Sequence, residues 1–167
     1  GGAEMDWLDY LKVIRTLAMA DGSTAWCVSQ ACVFATTSAR ISEDLAKEVW
    51  GDPRTVVGNG PPARAVSNPV EGGYRLSGRW MFSSGCRHAS WMAAITLEDN
   101  QEKQLHLVPR DQIEFIDVWN VQGLRGTGSF HFEADNLFVP VERATAVAES
   151  NPRAGPLYAI PRTSLFN

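Results

Sequence analysis

The stretch that decides the fold is GGYRLSGRWMFSSG, residues 72–85. It opens with a Gly-Gly turn and then alternates apolar and polar residues, which is the pattern of a β-strand with one buried face. The strand ends at Phe82, which is followed by the hydroxyls of Ser83 and Ser84 and by Gly85. An aromatic face beside small hydroxyls and a bare backbone is a surface that accommodates a planar heterocycle with polar edges.

The composition indicates one compact domain with a sizeable core. The chain has 167 residues, 44% of them hydrophobic, and a formal net charge of −4, and its scattered Lys and Arg argue against a nucleic-acid partner. No apolar run approaches the roughly 20 residues of a membrane span, so no membrane association is expected. Cys27, Cys32 and Cys86 lack a disulfide spacing, which indicates a reducing, cytoplasmic environment.

The first fifty residues have the periodicity of α-helices. Apolar residues recur at helical spacing over residues 7–17, which predicts a first helix. Ser23 or Thr24 is expected to cap a second helix, and Ser42 a third.

From Arg54 onward, short segments rich in β-branched and aromatic residues alternate with Gly, Pro and Asn turns. Seven such segments are expected to form strands, namely residues 55–57, 63–67, 74–82, 91–97, 104–108, 113–118 and 129–132. Strands this short and this numerous predict an antiparallel barrel or sandwich. The expected fold class is therefore α+β, with N-terminal helices followed by an antiparallel β-barrel or sandwich domain.

Three other segments flank the quoted strand in a fixed order: DGSTAW at residues 21–26, GLRGTGS at 123–129 and DNLFVP at 135–140. Together with the strand, they resemble the acyl-CoA dehydrogenase superfamily. They are most similar to its flavin-dependent monooxygenase branch, the oxygenase components of two-component aromatic hydroxylases. The resemblance covers nearly the whole chain. It implies a fragment with the end of an N-terminal helical domain at residues 1–52, a middle β domain at 53–146, and an extended tail at 147–167 that leads to an absent C-terminal helical bundle.

The resemblance also implies an activity. A separate flavin reductase would supply reduced FMN or FAD, which would react with O2 to form a C4a-hydroperoxide that hydroxylates a small aromatic, typically phenolic, substrate. The catalytic base would be a histidine in the absent bundle, so the isolated chain is expected to be almost inactive. The family is usually tetrameric, so a homo-oligomer is expected.

Flavin contacts implied by the resemblance lie at the end of the quoted strand. Phe82 takes the place of the aromatic that lies against the flavin, and Ser84 that of the hydroxyl near the N5 and O4 edge, with Ser83 and the Gly85 backbone beside it. The dehydrogenases have Trp and Thr at the first two places, and the smaller groups here leave room for an oxygen adduct. A competing interpretation makes Trp80 and Phe82 strand core and the serines an ordinary turn.

The remaining candidate residues lie near the ends of helices and strands. Asn59 and Gly60 are expected to contact the flavin through backbone groups, in a segment that is also an ordinary turn. Trp26 would be either a wall of the substrate pocket or a buried packing residue. Arg125 would pair with a flavin phosphate or with a carboxylate, in a loop whose glycines indicate tight turns. His88 is the best placed acid–base group.

Two other histidines, His106 and His131, are expected to be ordinary strand residues. No His, Cys or carboxylate pair has the spacing of metal ligands, so no metal is expected. Two alternative functions remain open. One is an acyl-CoA dehydrogenase proper, although its acidic glycine-containing motif is missing near residue 59; the other is a non-enzymatic β module that binds a ligand or a partner.

Overall fold

Three α-helices precede eight β-strands in the computed structural model, which describes residues 4–97, 103–146 and 155–160. The helices are α1 (Trp7–Ala20), α2 (Gly22–Ala35) and α3 (Glu43–Trp50). The strands are β1 (Val57–Asn59), β2 (Pro62–Val70), β3 (Gly73–Ser83), β4 (Trp91–Leu97), β5 (Lys103–Pro109), β6 (Glu114–Ile116), β7 (Phe130–Pro140) and β8 (Ala144–Ala146). The expected α+β class, with helices first, is confirmed.

The helix caps agree with the sequence in one case and differ in another. Ser42 caps α3, since its hydroxyl accepts the N–H of Leu45 at 3.3 Å. The cap of α2 is neither Ser23 nor Thr24 but Asp21, whose carboxylate accepts the N–H of Thr24 at 2.7 Å and its hydroxyl at 2.6 Å. An aspartate here satisfies a free N–H of the first turn, so the helix begins at Gly22, two residues earlier than a Ser23 cap would place it.

The described strands form two four-stranded sheets and do not close into a barrel. The first sheet has the order β1-β4-β5-β8 and the second β2-β3-β7-β6. The pairs are antiparallel except β1 with β4, which is parallel. This exception corrects the antiparallel expectation, and it arises because the chain crosses through β2 and β3 of the second sheet before it returns as β4.

Several strands differ from their expected bounds: β1 (Val57–Asn59) begins two residues later, β2 (Pro62–Val70) is longer and β6 (Glu114–Ile116) is shorter. β7 continues through the segment at 135–140, because a bulge at Asn136, with φ of 48°, interrupts the alternation without ending the strand. β8 (Ala144–Ala146) was not expected, since three small residues carry little strand signal.

The first sheet is buried on both faces, between the helices and the second sheet. The cluster toward α2 and α3 contains Phe34, Leu45, Val49, Val57, Ala93, Leu105 and Leu107. The cluster between the sheets includes Leu76, Trp80, Met92, Ala94, Val108, Phe132 and Val139. Burial on both faces explains why β4 is nearly continuously apolar.

Trp80 joins the two sheets at the centre of this core. Its ring is fully buried and stacks on Phe132, with ring centroids 4.9 Å apart. Its indole Nε1 donates to the carbonyl oxygen of Ile95 in β4 at 2.8 Å. The interpretation of Trp80 as strand core is therefore confirmed.

A polar cluster interrupts the apolar contact between the sheets. Thr96 Oγ1 lies 3.1 Å from Ser67 Oγ and 3.3 Å from His106 Nε2, and Ser67 also donates to Gln104 Oε1 at 3.1 Å. His106 is fully buried in β5, and this burial lowers its pKa from 6.5 to about 4. The ring is therefore neutral near pH 7.

Only part of the expected tail is described. Residues 155–160 form one short turn, in which Tyr158 donates its hydroxyl to Glu4 Oε1 at 2.9 Å and accepts from Arg40 Nη2 at 3.4 Å through its carbonyl oxygen. The remainder of 147–167 lies outside the described residues, and the division at residues 52/53 stays a prediction. None of the described helices is long and apolar enough to cross a membrane.

Candidate functional site

Phe82 leaves the core where β3 ends. Its backbone has φ of 51°, a left-handed conformation that is unusual for a bulky side chain, and its ring is 51% exposed. The ring meets His131 and Trp119 edge to face, with centroid distances of 4.9 and 6.0 Å. The interpretation of Phe82 as strand core is therefore wrong, because the bulge in β3 turns its side chain out of the alternation.

A row of hydrogen bonds runs inward from Trp26 through three hydroxyls. Trp26 Nε1 donates to Ser84 Oγ at 2.9 Å, and Ser84 Oγ lies 2.8 Å from Ser129 Oγ. Ser129 Oγ is 2.6 Å from Thr127 Oγ1, which donates to the carbonyl oxygen of Leu124 at 3.0 Å. We call these five residues the hydroxyl row.

The hydroxyl row is buried in its middle and exposed at both of its end residues, Trp26 and Leu124. Thr127 and Ser129 are buried, Ser84 is partly buried, and Trp26 is exposed. The interpretation of Trp26 as a buried packing residue is therefore wrong, and its role as a pocket wall stays a prediction. Ser84 is the hydroxyl that a ligand lying beside Trp26 can reach.

Ser83 and Gly85 flank Ser84 but offer little to a ligand. The Ser83 side chain is fully buried, and its hydroxyl has no hydrogen-bond partner within the described residues. The Gly85 N–H donates to the carbonyl oxygen of Thr127 at 2.8 Å, and the Gly85 carbonyl accepts the N–H of His88. The Gly85 N–H is therefore occupied, whereas its carbonyl oxygen keeps a second lone pair, and the expected flavin contact through this backbone stays a prediction.

The role of Gly85 is to let α2 approach the end of β3. Its φ is 73°, and a Cβ at this position would lie 3.3 Å from the Cβ and Sγ of Cys27. Glycine is favoured at such a turn because any other side chain would be strained and crowded.

Asn59 and Gly60 lie next to the same end of β3. A Cβ on Gly60 would lie 2.5 Å from the carbonyl oxygen of Met81, so the two backbones are in close contact. Asn59 is partly buried, and its Nδ2 lies 3.5 Å from Gln30 Oε1 of α2. The structure thus brings this turn beside Phe82, while the flavin contact itself stays a prediction.

His88 and Arg125 are exposed at the edge of this region. His88 ends a short 3₁₀ turn, Cys86–His88, and Arg125 begins another, Arg125–Thr127. Within residues 4–97, 103–146 and 155–160, neither side chain makes a hydrogen bond or an ion pair. Pairing of Arg125 with a carboxylate is not observed there, and His88 is not connected to the hydroxyl row.

Four residues of the site were missed from sequence. Thr127 and Ser129 lie within a segment whose glycines drew attention, and their spacing of two residues at the entry to β7 was the available signal. His131, interpreted as an ordinary strand residue, accepts the N–H of Phe82 through Nδ1. Trp119 borders Phe82 and donates its Nε1 to the carbonyl oxygen of Leu124 at 3.1 Å, and no local pattern indicated this.

An apolar concavity lies elsewhere, between α1 and α2. This apolar groove has a volume of about 290 Å³, and its walls include Trp7, Tyr10, Ile14, Val28, Cys32 and Tyr158. It shares no residue with the hydroxyl row. Partial desolvation raises the pKa of the Cys32 thiol above its usual value. In the described part of the chain, no three His, Cys, Asp or Glu side chains are grouped as metal ligands.

Comparisons with known proteins identify relatives of the chain. It is 34% identical to the oxygenase subunit HsaA of a flavin-dependent monooxygenase from Rhodococcus jostii, over 96% of this chain and 46% of that protein. It is 30% identical to the oxygenase component of p-hydroxyphenylacetate 3-hydroxylase from Acinetobacter baumannii, over 99% of this chain and 41% of that protein. No protein-family model matches.

The fold has solved counterparts as well. The crystal structure of XiaF from Streptomyces, in complex with FADH2 and glycerol, matches with a TM-score of 0.83 at 23% identity, over 93% of this chain and 42% of that one. The chain therefore has an acyl-CoA dehydrogenase-like fold. Within that class, its homologues are the oxygenase subunits of flavin-dependent monooxygenases. It spans a little under half the length of the curated relatives it matches.

Proposed function

We propose that the chain forms part of the oxygenase component of a flavin-dependent monooxygenase, which uses reduced FMN or FAD and O2 to hydroxylate a small aromatic substrate. The observation that carries the proposal is the exposed ring of Phe82 two residues before Ser84, whose hydroxyl is anchored between Trp26 and Ser129. The names of the relatives, flavin-dependent monooxygenases and a hydroxylase of p-hydroxyphenylacetate, support the same activity.

The groups present at this site are compatible with a flavin. Phe82 offers a flat apolar face, and Ser84 offers a hydroxyl for the polar edge of the ring system. Arg125 is exposed and has no carboxylate partner in the described part of the chain, so it is available to a flavin phosphate. Bound reduced flavin would supply two electrons to O2, so that one oxygen atom enters the substrate and the other leaves as water.

The protein's contribution is to hold the flavin and to exclude water. Phe82 and Trp26 would shield the ring system, and Ser84 would orient its polar edge. His88 receives no catalytic role, because its exposed ring is not connected to the hydroxyl row. Ser83 receives no binding role because its side chain is fully buried, and Gly85 could contact the flavin only through its carbonyl oxygen, since its N–H donates to Thr127.

The proposal extends to the assembly. A separate reductase would deliver the reduced flavin, as the subunit and component names of the relatives suggest. A homo-oligomer is supported by α1, which has no buried residue and exposes Leu8 and Met19. The division into the end of a helical domain, a middle β domain and a connecting tail is part of the same proposal.

Flavin binding tests the proposal directly. The full chain is titrated with FMN and FAD, oxidised and anaerobically reduced, and O2 is then admitted in the presence of phenols. Phe82→Leu should weaken flavin binding about three- to tenfold, the contribution of one aromatic contact. Phe138→Leu is the matched control, since Phe138 is also exposed but lies toward the other end of β7.

Each outcome has a defined meaning. Binding of reduced flavin with hydroxylated product supports the oxygenase. Tight binding of oxidised flavin without hydroxylation would favour a dehydrogenase, and failure to bind flavin in either state would favour a non-enzymatic β module. Equal effects of the two Phe variants would remove Phe82 from the site.

A further inference from the structure

We infer that the hydroxyl row has one fixed direction, in which every hydroxyl donates away from Trp26 and toward the carbonyl oxygen of Leu124, so that Ser84 accepts a hydrogen bond from a ligand and does not donate one. This inference rests on the proposed function because it takes the ligand to be a flavin whose N5 edge lies against Ser84. It assigns to Ser129 and Thr127 the role of positioning residues that select the redox state of that flavin.

The two ends of the row fix its direction. An indole N–H can only donate, and Trp26 Nε1 lies 2.9 Å from Ser84 Oγ. A carbonyl oxygen can only accept, and Leu124 O lies 3.0 Å from Thr127 Oγ1. The donor is therefore Trp26 at one end of the row, and the acceptor is the carbonyl oxygen of Leu124 at the other end.

The direction of each inner hydrogen bond follows from this acceptor. Thr127 has one hydroxyl hydrogen, which it gives to Leu124, so at 2.6 Å it accepts from Ser129. Ser129 has then used its own hydrogen, so at 2.8 Å it accepts from Ser84. Thr127 is 2% exposed and Ser129 1%, so their hydroxyls rely on one another for partners and not on bulk water.

The direction of the row determines which further hydrogen bond the Ser84 hydroxyl can make. A serine hydroxyl has one hydrogen and two acceptor lone pairs. The hydrogen is directed to Ser129, and one lone pair receives the Trp26 N–H. One lone pair remains for a ligand. Ser84 can therefore accept one more hydrogen bond and can donate none without disrupting the row.

This capacity distinguishes the two redox states of a flavin. N5 of an oxidised flavin has only a lone pair, whereas N5 of a reduced flavin carries a hydrogen and can donate it. An Oγ that can only accept complements the reduced state and leaves the oxidised N5 without a donor. Since an unmade hydrogen bond in a desolvated site is costly, the row should favour reduced flavin.

If the hydroxyls of the row donated toward Trp26 instead, the row would favour oxidised flavin. If Thr127 donated to Ser129 and Ser129 to Ser84, both lone pairs of Ser84 would be used and its hydrogen would face the ligand. Removing the Thr127 hydroxyl should produce this arrangement, because Ser129 then lacks its acceptor and turns to Ser84.

Dissociation constants for oxidised and anaerobically reduced flavin, measured on the full chain, test the direction. The readout is the ratio of the oxidised to the reduced constant, which does not depend on turnover. Thr127→Val, which keeps the shape and loses the hydroxyl, should lower this ratio about tenfold, the equivalent of one hydrogen bond gained by one state and lost by the other. Ser129→Ala should also lower it, because the Ser84 hydrogen is released.

Two control variants should not lower the ratio of the oxidised to the reduced dissociation constant. Thr127→Ser restores the hydroxyl and should restore the ratio. Trp26→Phe removes the N–H at the other end of the row. The Ser84 hydroxyl still donates to Ser129 in this variant. The ratio should therefore not fall, even if the affinities for both redox states decrease. Thermal unfolding of each variant verifies folding, and Ser129→Ala replaces Thr127→Val if the latter does not fold.

An unchanged ratio in folded Thr127→Val or Ser129→Ala would overturn the inferred direction while leaving the proposed function intact. A fall of the ratio in Trp26→Phe equal to that in Thr127→Val would also overturn it. Absence of flavin binding by the wild-type chain would overturn the proposed function, and the inference with it.

Discussion

The backbone N–H of Phe82 donates to Nδ1 of His131 at 3.2 Å, and the two rings meet edge to face with centroids 4.9 Å apart. This pair explains how a bulky residue holds φ of 51°, a conformation that costs on the order of 1–2 kcal/mol outside glycine. The His131 imidazole accepts the Phe82 N–H and contacts the Phe82 ring, so it stabilises both the strained backbone and the position of the ring. The exposed position of Phe82 therefore depends on a residue 49 positions further along the chain.

Replacement of His131 should destabilise the backbone conformation at Phe82. His131→Leu removes the acceptor and is expected to destabilise the fold by about 1 kcal/mol, the net contribution of one hydrogen bond. His131→Asn retains a side-chain acceptor and should recover part of that loss. Urea unfolding measures both variants, and equal stability of the two would show that the Phe82 N–H does not need this acceptor.

Replacement of Trp80 should weaken the packing between the two sheets and lower the free energy of unfolding. Trp80→Phe leaves space in the core and removes the hydrogen bond to the Ile95 carbonyl, so a loss of about 2–3 kcal/mol is expected. The control is Trp7→Phe, on a half-buried tryptophan of α1, which should cost less than about 1 kcal/mol. Comparable losses in denaturant unfolding would contradict a central role for Trp80.

His106 should make the fold sensitive to acid. Its pKa is about 4 in the folded protein and 6.5 in the unfolded chain, so between these values the unfolded chain binds more protons and stability falls as pH falls. The expected loss between pH 7 and pH 5 is about 2 kcal/mol. His106→Gln, which retains an amide near Thr96, should lose that part of the pH dependence.

The measurement is the difference between the two proteins in unfolding free energy, taken at pH 7 and again at pH 5. This double difference cancels the titration of all other groups. A pH dependence shared equally by both proteins would show that burial of His106 does not control it.

Two glycines with nearly equal φ allow the cost of backbone strain to be measured separately from the cost of a close side-chain contact. Gly72 and Gly85 have φ of 75° and 73°, but a Cβ on Gly72 meets nothing within 4 Å, whereas one on Gly85 meets Cys27 at 3.3 Å. Gly72→Ala should therefore cost about 1–2 kcal/mol from the backbone alone.

Gly85→Ala should cost more than Gly72→Ala and should also weaken flavin binding, because α2 must move away from Ser84. Thermal unfolding and flavin titration of both variants check this. Equal flavin affinity in the two alanine variants would mean that the approach of α2 does not control the site.

The sequence predicted those parts of the fold that local patterns control. Trp80 follows the strand alternation, and the competing interpretation that made it strand core is correct for this residue; Ser42 follows the rule for helix caps. Phe82 was open to two interpretations because the bulge in β3 depends on His131, which lies on another strand. The antiparallel expectation did not extend to β1 because its parallel partner is determined by a crossover and not by any local pattern.

The site was predictable only where its residues are neighbours in sequence. Phe82 and Ser84 were identified together, and Trp26 came from a separate segment without any sign that it would contact Ser84. Ser129 and Thr127 were missed because a buried hydroxyl in a loop has no periodic signal. Hydrogen bonds between distant segments are a property of the folded chain.

The hydroxyl row also determines when the site can exist during synthesis. Its hydrogen bonds join residues 58 and 45 positions apart, so the surface around Ser84 cannot be completed until Ser129 has left the ribosome. A nascent chain that ends before this residue has α2 and β3 but no inner partner for Ser84. Under the proposed function, a flavin would therefore meet a complete site only in a β domain that is already assembled.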